Sequence, residues 1–296
     1  MKTLRECIKE AEEKKVAIGH FNISNLEALH GIYAATKQVS ELAGYQVPVI
    51  IGLSEGEEEF VGRHEAEALI AEIRENDNYP IFVNADHHHS FERFKESIDA
   101  GYDMAIIDEV KLSIEENAAI VKQCVAYAKE KSKEDNRDIL VEAELGFIGS
   151  SSKIRDKIPE GVSEATMTKP EDAKHFVQAT GIDLLAPSVG NVHGMVKGGN
   201  PKLHPDRIKE IKEAAGVPLV LHGGSGIADE DFTEAIAAGI SVIHINTEIR
   251  VAYHDALKKF MEENPDETTP YRFLQPGVEA IQKVVFARMK LFNNMK

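Results

Sequence analysis

The chain has 296 residues, of which 43% are hydrophobic and 28% are charged. This composition is ordinary for a folded globular protein and excludes disordered and collagen-like chains. The formal net charge is −16, from 34 Lys and Arg against 50 Asp and Glu. Because a protein that binds duplex phosphates needs clustered positive charge, we expect no nucleic-acid partner. The sequence has no apolar stretch of about 18 residues and no apolar segment near its start, which predicts a cytoplasmic protein with no membrane partner.

Short runs rich in β-branched residues alternate with longer amphipathic stretches along the chain. Eight such runs are predicted as strands, at 16–21, 47–51, 81–83, 104–107, 139–144, 184–186, 219–221 and 242–245. Most of the segments between them have helical periodicity, for example 114–131, which follows Ser113 as a candidate helix cap. Eight strand–helix units predict an α/β fold of the (β/α)8 TIM-barrel type. An open doubly wound sheet is less favoured, because no glycine-rich dinucleotide motif follows the first run.

The segments after the eighth run predict an extra helical segment at the C-terminal end. A helix over 248–263, a Pro-containing link over 264–270 and a last helix over 276–292 make up this segment. We therefore expect a single domain over 1–296. The connection 146–169 is long and rich in Ser and Gly, as functional loops often are. Cys7 and Cys124 form no CxxC pair and are interpreted as small buried apolar side chains.

Polar and titratable residues follow the predicted strands at their carboxyl ends, where barrels of this type carry their active sites. Three of these ends carry a histidine, namely His87, His193 and His222. Three imidazoles from neighbouring strand ends are the ligand set of a catalytic zinc with one open position. Asp86 directly precedes His87, where a carboxylate can act as a general acid or base, or can orient an imidazole.

Other residues at the strand ends leave two readings open. Asp108 and Glu144 can bind a second cation, or they can form hydrogen bonds at the barrel mouth. His88 and His89 are interpreted as solvated or as neighbours of the metal ligands, because adjacent side chains point apart. The remaining histidines, including His20, are interpreted as structural.

Glycine-rich turns after two of the predicted strands suit a bound phosphate. Gly194 lies in one turn, and the other contains Gly223 and Ser225. Such turns leave backbone N–H groups free near helix starts, which is how a phosphate is bound without a large basic patch. Thr247 can add a hydroxyl and Lys197 a point charge.

These residues together resemble the metal-dependent class II ketose-bisphosphate aldolases, the fructose- and tagatose-bisphosphate aldolase family. The resemblance runs from Gly19 to Arg250 in the segments GHFNISNLEAL, NADHHHSFE, EENAAIVKQCVAYA, VEAELGFIG, GNVHGMVKGG, PLVLHGGSGI and INTEIR. The segment ENPDETTPYRF resembles the tagatose-type branch of that family.

The resemblance implies an aldehyde-lyase that reversibly cleaves a ketose 1,6-bisphosphate of the fructose or tagatose type. The products would be dihydroxyacetone phosphate and an aldehyde such as glyceraldehyde 3-phosphate. It implies that His87, His193 and His222 hold Zn²⁺, that Asp86 exchanges a proton with the C4 hydroxyl, and that Glu144 lies at a secondary metal position.

The resemblance also implies a set of residues that bind the phosphorylated sugar. They are Ser54, Gly194, Lys197, Gly223, Ser225, His244, Asn246 and Thr247. A monovalent cation, Na⁺ or K⁺, is implied beside the phosphate. Arg250 matches an arginine that reaches the neighbouring subunit's site, which implies a homodimer or a homotetramer.

The sequence departs from the family pattern at four places, and these differences leave the identity of the sugar substrate undecided. His244 stands where the family usually has Asn, Asn84 where it has His or a similar residue, and Gly52 where it has Gln. The loop element Gly-Gly-x-Glu-Asp is replaced at 149–153, so the residue that takes the C3 proton is open among Asp156, Glu160 and Glu164. A metal-dependent epimerase or isomerase is therefore an alternative. A non-catalytic aldolase-like subunit is a third possibility, although such a subunit would not need three histidines and Asp86.

Overall fold

A computed structural model describes residues 1–149 and 151–295; Ser150 of the predicted loop and Lys296 of the predicted domain 1–296 lie outside the described residues. Eight parallel strands close into a barrel, which confirms the predicted TIM-barrel fold. The barrel strands are β1 (Ile18–Asn22), β2 (Val49–Leu53), β3 (Ile81–His88), β4 (Met104–Ile107), β5 (Leu140–Leu145), β7 (Leu184–Pro187), β9 (Leu219–Leu221) and β10 (Ile240–Ile245). Outside the barrel, the two-residue strands β6 (Ile154–Arg155) and β8 (Met195–Val196) pair in parallel.

Helices surround the barrel and close its amino end. They are α1 (Leu4–Lys14), α2 (Leu26–Ala43), α3 (Glu55–Val61), α4 (Arg63–Asp77), α5 (Phe91–Asp99), α6 (Ile114–Glu134), α7 (Pro170–Thr180), α8 (Pro205–Ala215), α9 (Asp229–Ala238), α10 (Thr247–Glu263), α11 (Pro270–Phe273) and α12 (Gln275–Phe292). A single 3₁₀ turn spans Glu164–Thr166. The predicted cap of α6 is confirmed, because the Ser113 side chain accepts from the Glu116 backbone N–H. None of the helices in the described part of the chain is both long and apolar enough to cross a membrane.

The predicted C-terminal helical segment is confirmed: α10 and α12 correspond to the two predicted helices, and the short α11 between them was not predicted. α12 packs against α2 and α10 and buries Ile281, Val285 and Met289. This packing places the start of α10, which follows β10 directly, at the carboxyl end of the barrel.

Inside the barrel, the side chains change from apolar to polar along each strand. Near the amino ends, Ile18, Ile50, Phe82, Met104, Ile106, Leu140, Leu184, Val220 and Val242 pack into a cluster that is separate from the outer core. α1 covers this cluster with one amphipathic face, Leu4, Cys7, Ile8 and Ala11. Because side chains alternate along a strand, residues two and four positions further on point into the barrel at its carboxyl end. These positions carry the titratable groups.

Candidate active site

An irregularity near the end of β3 brings two adjacent side chains into the barrel mouth. The pairing of β3 with β4 shifts register between Ala85 and His88. His87 has a φ of 56°, in the left-handed region that non-glycine residues rarely adopt. In a regular strand Asp86 and His87 would point to opposite faces, whereas here both line the mouth.

His88 points the other way and is buried behind the barrel wall. Its Nε2 lies 3.4 Å from Glu58 Oε2. Glu58 also accepts hydrogen bonds from Arg63 Nη2 at 2.9 Å and from Ser97 Oγ at 2.9 Å. These buried contacts hold the irregular end of β3 from the outside, and they explain why His88 does not join the mouth. His89 is exposed.

The three predicted metal ligands meet in the mouth. The ring centroid of His87 is 4.7 Å from that of His193 and 4.7 Å from that of His222, and the last two are 5.9 Å apart. His87 Nε2 lies 2.9 Å from His222 Nδ1. One nitrogen of each ring and a carboxylate oxygen of Glu144 lie within 4.8 Å of one another. Glu144 therefore joins the histidines.

The second nitrogen of each ring is held by the protein. His87 Nδ1 lies 3.1 Å from Asp108 Oδ2, so Asp108 orients this ring. His193 Nδ1 lies 2.8 Å from the Gly149 carbonyl oxygen, and His222 Nε2 lies 2.7 Å from Glu142 Oε1. Metal-binding imidazoles are oriented in this way in general, so the donor set fits a divalent metal ion.

The charges of the mouth also favour a cation. Burial lowers the pKa of His87, but the charge of Asp86 and the hydrogen bond with Asp108 outweigh it and raise the pKa to about 10. Burial and the neighbouring His87 lower the pKa of His193 to about 4. Burial, with the nearby Asp108 carboxylate, raises the pKa of Glu144 well above its usual range. The Asp86 and Asp108 carboxylates thus stabilise a positive charge at this place, and a metal ion can supply it.

Asp86 has one oxygen held and one oxygen facing the mouth. Its Oδ2 accepts a hydrogen bond of 2.8 Å from Asn22 Nδ2. Its Oδ1 lies 3.7 Å from His87 Nε2 and 3.4 Å from His244 Nδ1. Burial raises the pKa of Asp86, but the charge of His87 and the contact with His244 outweigh it and hold the pKa well below its usual range. Asp86 is therefore an ionised carboxylate whose Oδ1 faces the mouth.

A small cavity of about 30 Å³ lies over these groups. It is lined by Asn22, Asp86, His87, Ser152, His193, Gly194, His222, Gly223, Ser225, His244, Asn246 and Thr247. Most of the predicted site residues are in this set, with Asn22 and Ser152 added by the structure.

One side of the cavity is formed by a glycine turn and a helix start. Gly223 has a φ of 66°, and a Cβ there would lie 2.2 Å from the Val192 carbonyl oxygen, so the turn requires glycine. α10 begins at Thr247, directly beside this turn. Ser225 Oγ accepts from the Glu248 backbone N–H at 3.0 Å, which fixes the turn against the helix. The first N–H groups of a helix this long favour a phosphate.

The long connection after β5 crosses the mouth. Its strand β6 pairs with β8, just beyond His193, through Ile154 and Met195. A Cβ at Gly194 would lie 2.1 Å from the Lys153 carbonyl oxygen, so the loop lies directly on the His193 turn. Among the described residues of this loop, Ser152 lines the cavity.

Several residues predicted for the substrate lie at the edge of the site. Ser54 Oγ donates to Glu57 Oε2 at 2.9 Å at the start of α3. Lys197 Nζ pairs with Asp156 Oδ1 at 2.8 Å, and both side chains are exposed. Arg250 Nη2 donates to Thr247 Oγ1 at 3.3 Å and to the Ser152 carbonyl oxygen.

The candidates for the C3 proton are at the surface. Asp156 is 81% exposed and Glu164 is 82% exposed, and Glu160 is exposed as well. Ser152, by contrast, faces the cavity but is not a carboxylate.

Sequence reasoning missed Glu142, Asn22 and His20. Glu142 is two residues from Glu144 on the same inward face, so the strand's alternation could have predicted it. His20 lies in the middle of β1, and its ring stacks on that of His244 with centroids 3.5 Å apart. His20 was interpreted as structural from the sequence, but an inward-facing residue in the middle of a strand can also reach the mouth.

Comparisons with known proteins agree with this geometry. The family model described as fructose-bisphosphate aldolase class-II matches residues 2–296. A fructose-bisphosphate aldolase from Geobacillus stearothermophilus is 37% identical over 99% of this chain and 96% of its own length, and one from Staphylococcus aureus is 36% identical over 98% and 96%. The solved structure of the YdjI aldolase from Escherichia coli K12 superposes with a TM-score of 0.79 at 29% identity, covering 98% of this chain and 96% of that one. The chain therefore belongs to the class-II fructose-bisphosphate aldolase family, whose members are metal-dependent.

Proposed function

We propose that this chain is an aldehyde-lyase that reversibly cleaves a ketose 1,6-bisphosphate of the fructose or tagatose type. The products are dihydroxyacetone phosphate and glyceraldehyde 3-phosphate. The observation that carries the proposal is the arrangement of three convergent imidazoles beside Asp86, whose free oxygen faces the same cavity.

Zn²⁺ is the proposed metal, because three imidazole nitrogens with room for substrate are a donor set that suits it. His87, His193 and His222 would hold it, with Glu144 as an additional or secondary ligand. When bound, such a metal supplies a Lewis acid that polarises the ketone oxygen of the sugar.

Proton transfer falls to Asp86. During cleavage the C4 hydroxyl loses its proton to Asp86 Oδ1 while the C3–C4 bond breaks. The electron pair of that bond stays with the three-carbon ketone half. C3 then takes up a proton from solvent, and Asp86 releases the C4 proton to solvent, which regenerates its carboxylate. Asn22 holds the other oxygen of Asp86, which keeps Oδ1 turned toward the mouth.

Phosphate binding is assigned to the glycine turn and helix start that line the cavity. Gly223, Ser225 and Thr247 provide backbone N–H groups and hydroxyls there, and Asn246 lies beside them. A monovalent cation, Na⁺ or K⁺, is proposed to share the charge of this phosphate. Arg250 is proposed to bind the second phosphate in a homodimer or homotetramer, since its guanidinium suits phosphate oxygens.

The experiment measures products and metal together. Purified protein is assayed with fructose 1,6-bisphosphate and tagatose 1,6-bisphosphate before chelation, after EDTA treatment, and after Zn²⁺ is returned. We expect about one metal ion per chain, formation of both triose phosphates, loss of activity with EDTA and recovery with Zn²⁺.

Two outcomes contradict the proposal. Full activity after exhaustive chelation would exclude a metal mechanism. Conversion of the ketose into an isomeric sugar phosphate, without triose phosphate, would instead support the epimerase or isomerase alternative.

A further inference from the structure

Two buried imidazoles stack face to face in the barrel mouth beside the metal ligands. His20 on β1 and His244 on β10 are direct partners in the parallel pairing of these strands. Their ring centroids are 3.5 Å apart and their planes differ by 2°. On its other side, His244 lies against His222, with centroids 3.9 Å apart and an angle of 33°. The ring of His244 is thus held between two other rings.

His20 occupies a fixed slot between β1, β2 and β3. A Cβ at Gly52 would lie 2.1 Å from His20 Cε1 and 2.5 Å from Nε2, so the slot exists only because residue 52 is glycine. Asn84 Nδ2 lies 3.0 Å from His20 Nε2. The substitutions at Gly52 and Asn84, which the sequence presented as separate departures, therefore serve one ring.

The stacked pair is not arranged as a second metal site, although His20, Asp86 and His244 lie close together. The lone pair of an imidazole nitrogen lies in the plane of its ring. Two parallel rings that are 3.5 Å apart cannot both direct such a lone pair at one ion. The stack instead fixes the plane of His244.

His244 has unused hydrogen-bonding capacity. It is 5% exposed, and neither of its ring nitrogens has a hydrogen-bond partner among the described residues. A buried polar atom without a partner is costly unless a ligand satisfies it. His244 lines the cavity, and its Nδ1 lies 3.4 Å from Asp86 Oδ1, the oxygen assigned to the C4 hydroxyl.

We propose that His244 binds the C4 hydroxyl of the ketose bisphosphate and so selects between C4 epimers, and that His20 is the positioning residue that holds His244 in place. Fructose and tagatose bisphosphates differ only in the configuration at C4, so their hydroxyls point to opposite sides. A ring fixed in one plane can bind only one of the two well. This inference rests on the proposed function.

The test compares kcat/KM for tagatose 1,6-bisphosphate with kcat/KM for fructose 1,6-bisphosphate. We expect His244→Asn, His20→Ala and Asn84→Ala to change this ratio in the same direction, by about fivefold for a single neutral hydrogen bond. The double variant His20→Ala/His244→Asn should change it no more than His244→Asn alone, because His20 acts through His244. Phe176→Leu, which removes a buried ring on α7, should leave the ratio unchanged.

Two further readouts separate positioning from general damage. Metal content and exchange of the C3 proton of dihydroxyacetone phosphate need the metal and phosphate sites but no C4 hydroxyl, so His20→Ala should change them by less than about twofold, well below the effect of one hydrogen bond. If His20→Ala unfolds, Asn84→Ala and Gly52→Ala replace it in the measurement of this ratio, because both disturb the position of the His20 ring. An unchanged ratio in the folded variants, or additive shifts in the double variant, overturns the inference. A wild-type protein that cleaves neither epimer contradicts the proposed function instead.

Discussion

The inner surface of the barrel changes character halfway along its strands. On β3 the inward side chain changes from Phe82 to Asn84 to Asp86, and on β10 from Val242 to His244. The lower half, which is the apolar cluster closed by α1, is packed from apolar side chains, as stable protein interiors are. The upper half, which is the mouth, holds buried polar atoms that lack a hydrogen-bond partner within residues 1–149 and 151–295.

This contrast indicates a division of work between the two halves. Unpartnered polar atoms of Asp86, Glu142, Glu144 and His244 lower the stability of the mouth. They are explained if a metal ion and a polar substrate supply the missing partners. The lower half then provides stability for a mouth that is suited to its ligands. Changes in the mouth should therefore alter chemistry, and changes in the lower half should alter stability.

The largest effect is expected from loss of a proposed metal ligand. His193→Ala should lower kcat/KM by more than about 10⁴-fold, because the Lewis acid and its charge are lost together. Metal analysis should show a matching loss of bound metal. His254→Ala, which removes a histidine that is 72% exposed on α10, is the control and should keep both metal and activity. Normal turnover in His193→Ala would contradict the proposal that His193 binds a catalytic metal in the mouth.

Loss of the carboxylate beside the metal should come next. Asp86→Ala should keep the metal and the fold but lose about 10²–10⁴-fold in turnover, the usual size of a positioned acid or base. Metal content, circular dichroism and steady-state kinetics check the three parts. If the variant loses its metal, Asp86 orients a ligand rather than moving a proton.

The sequence was informative where titratable residues recur at the carboxyl ends of the predicted strands. His87, His193, His222 and Asp86 could be found because they follow predicted strands, and parallel strands bring their carboxyl ends together. The strand alternation also predicts which neighbours share a face. The irregular end of β3 was not predictable, because the left-handed φ of His87 depends on contacts such as that of His88 with Glu58.

Other features depend on tertiary contacts that leave no periodic signal. β6 and β8 are only two residues long. No hydrophobic alternation in the sequence could therefore predict that they hold the long loop across the mouth. Lys197 has the right spacing for a phosphate but pairs with Asp156 at the surface. His20 is an inward residue in mid-strand, and only its slot at Gly52 shows what its ring contacts.

A smaller effect is expected from the carboxyl group behind His222. Glu142→Leu should weaken metal binding by about 10–100-fold, the usual consequence of removing a group that orients a ligand. Glu142→Gln should weaken it less, because the amide oxygen can still accept from His222 Nε2 at the same place. Competition with a metal-sensitive dye measures both affinities. Equal affinities in Glu142→Leu and wild-type protein would show that His222 needs no such partner.

The lower half should respond in the opposite way. Ile8→Val on α1 removes one buried methylene and should lower the free energy of unfolding by about 0.5–1.5 kcal/mol. Because Ile8 packs in the lower cluster, kcat/KM and metal affinity should stay at wild-type values. Urea titration measures the free energy of unfolding, and steady-state kinetics measure kcat/KM. A loss of activity without a loss of stability would contradict the separation of the two halves.

The smallest effect is expected at the cysteine of the lower half. Burial, followed by the charge of Glu10, raises the pKa of Cys7 to about 11, and burial raises the pKa of Cys124 to about 12. A raised pKa means that the reactive thiolate is scarce, about one part in a thousand for Cys7 at pH 8, so both thiols should react slowly with a thiol reagent in the native protein. If the two halves are independent, removing the metal with EDTA should leave the labelling rate of Cys7 unchanged, because α1 still covers the lower cluster. The rate is followed by mass spectrometry of the labelled peptides, with urea-unfolded protein as the reference for full reactivity. Faster labelling of Cys7 after chelation would show that the loss of a ligand in the mouth is transmitted along the strands to the amino end of the barrel.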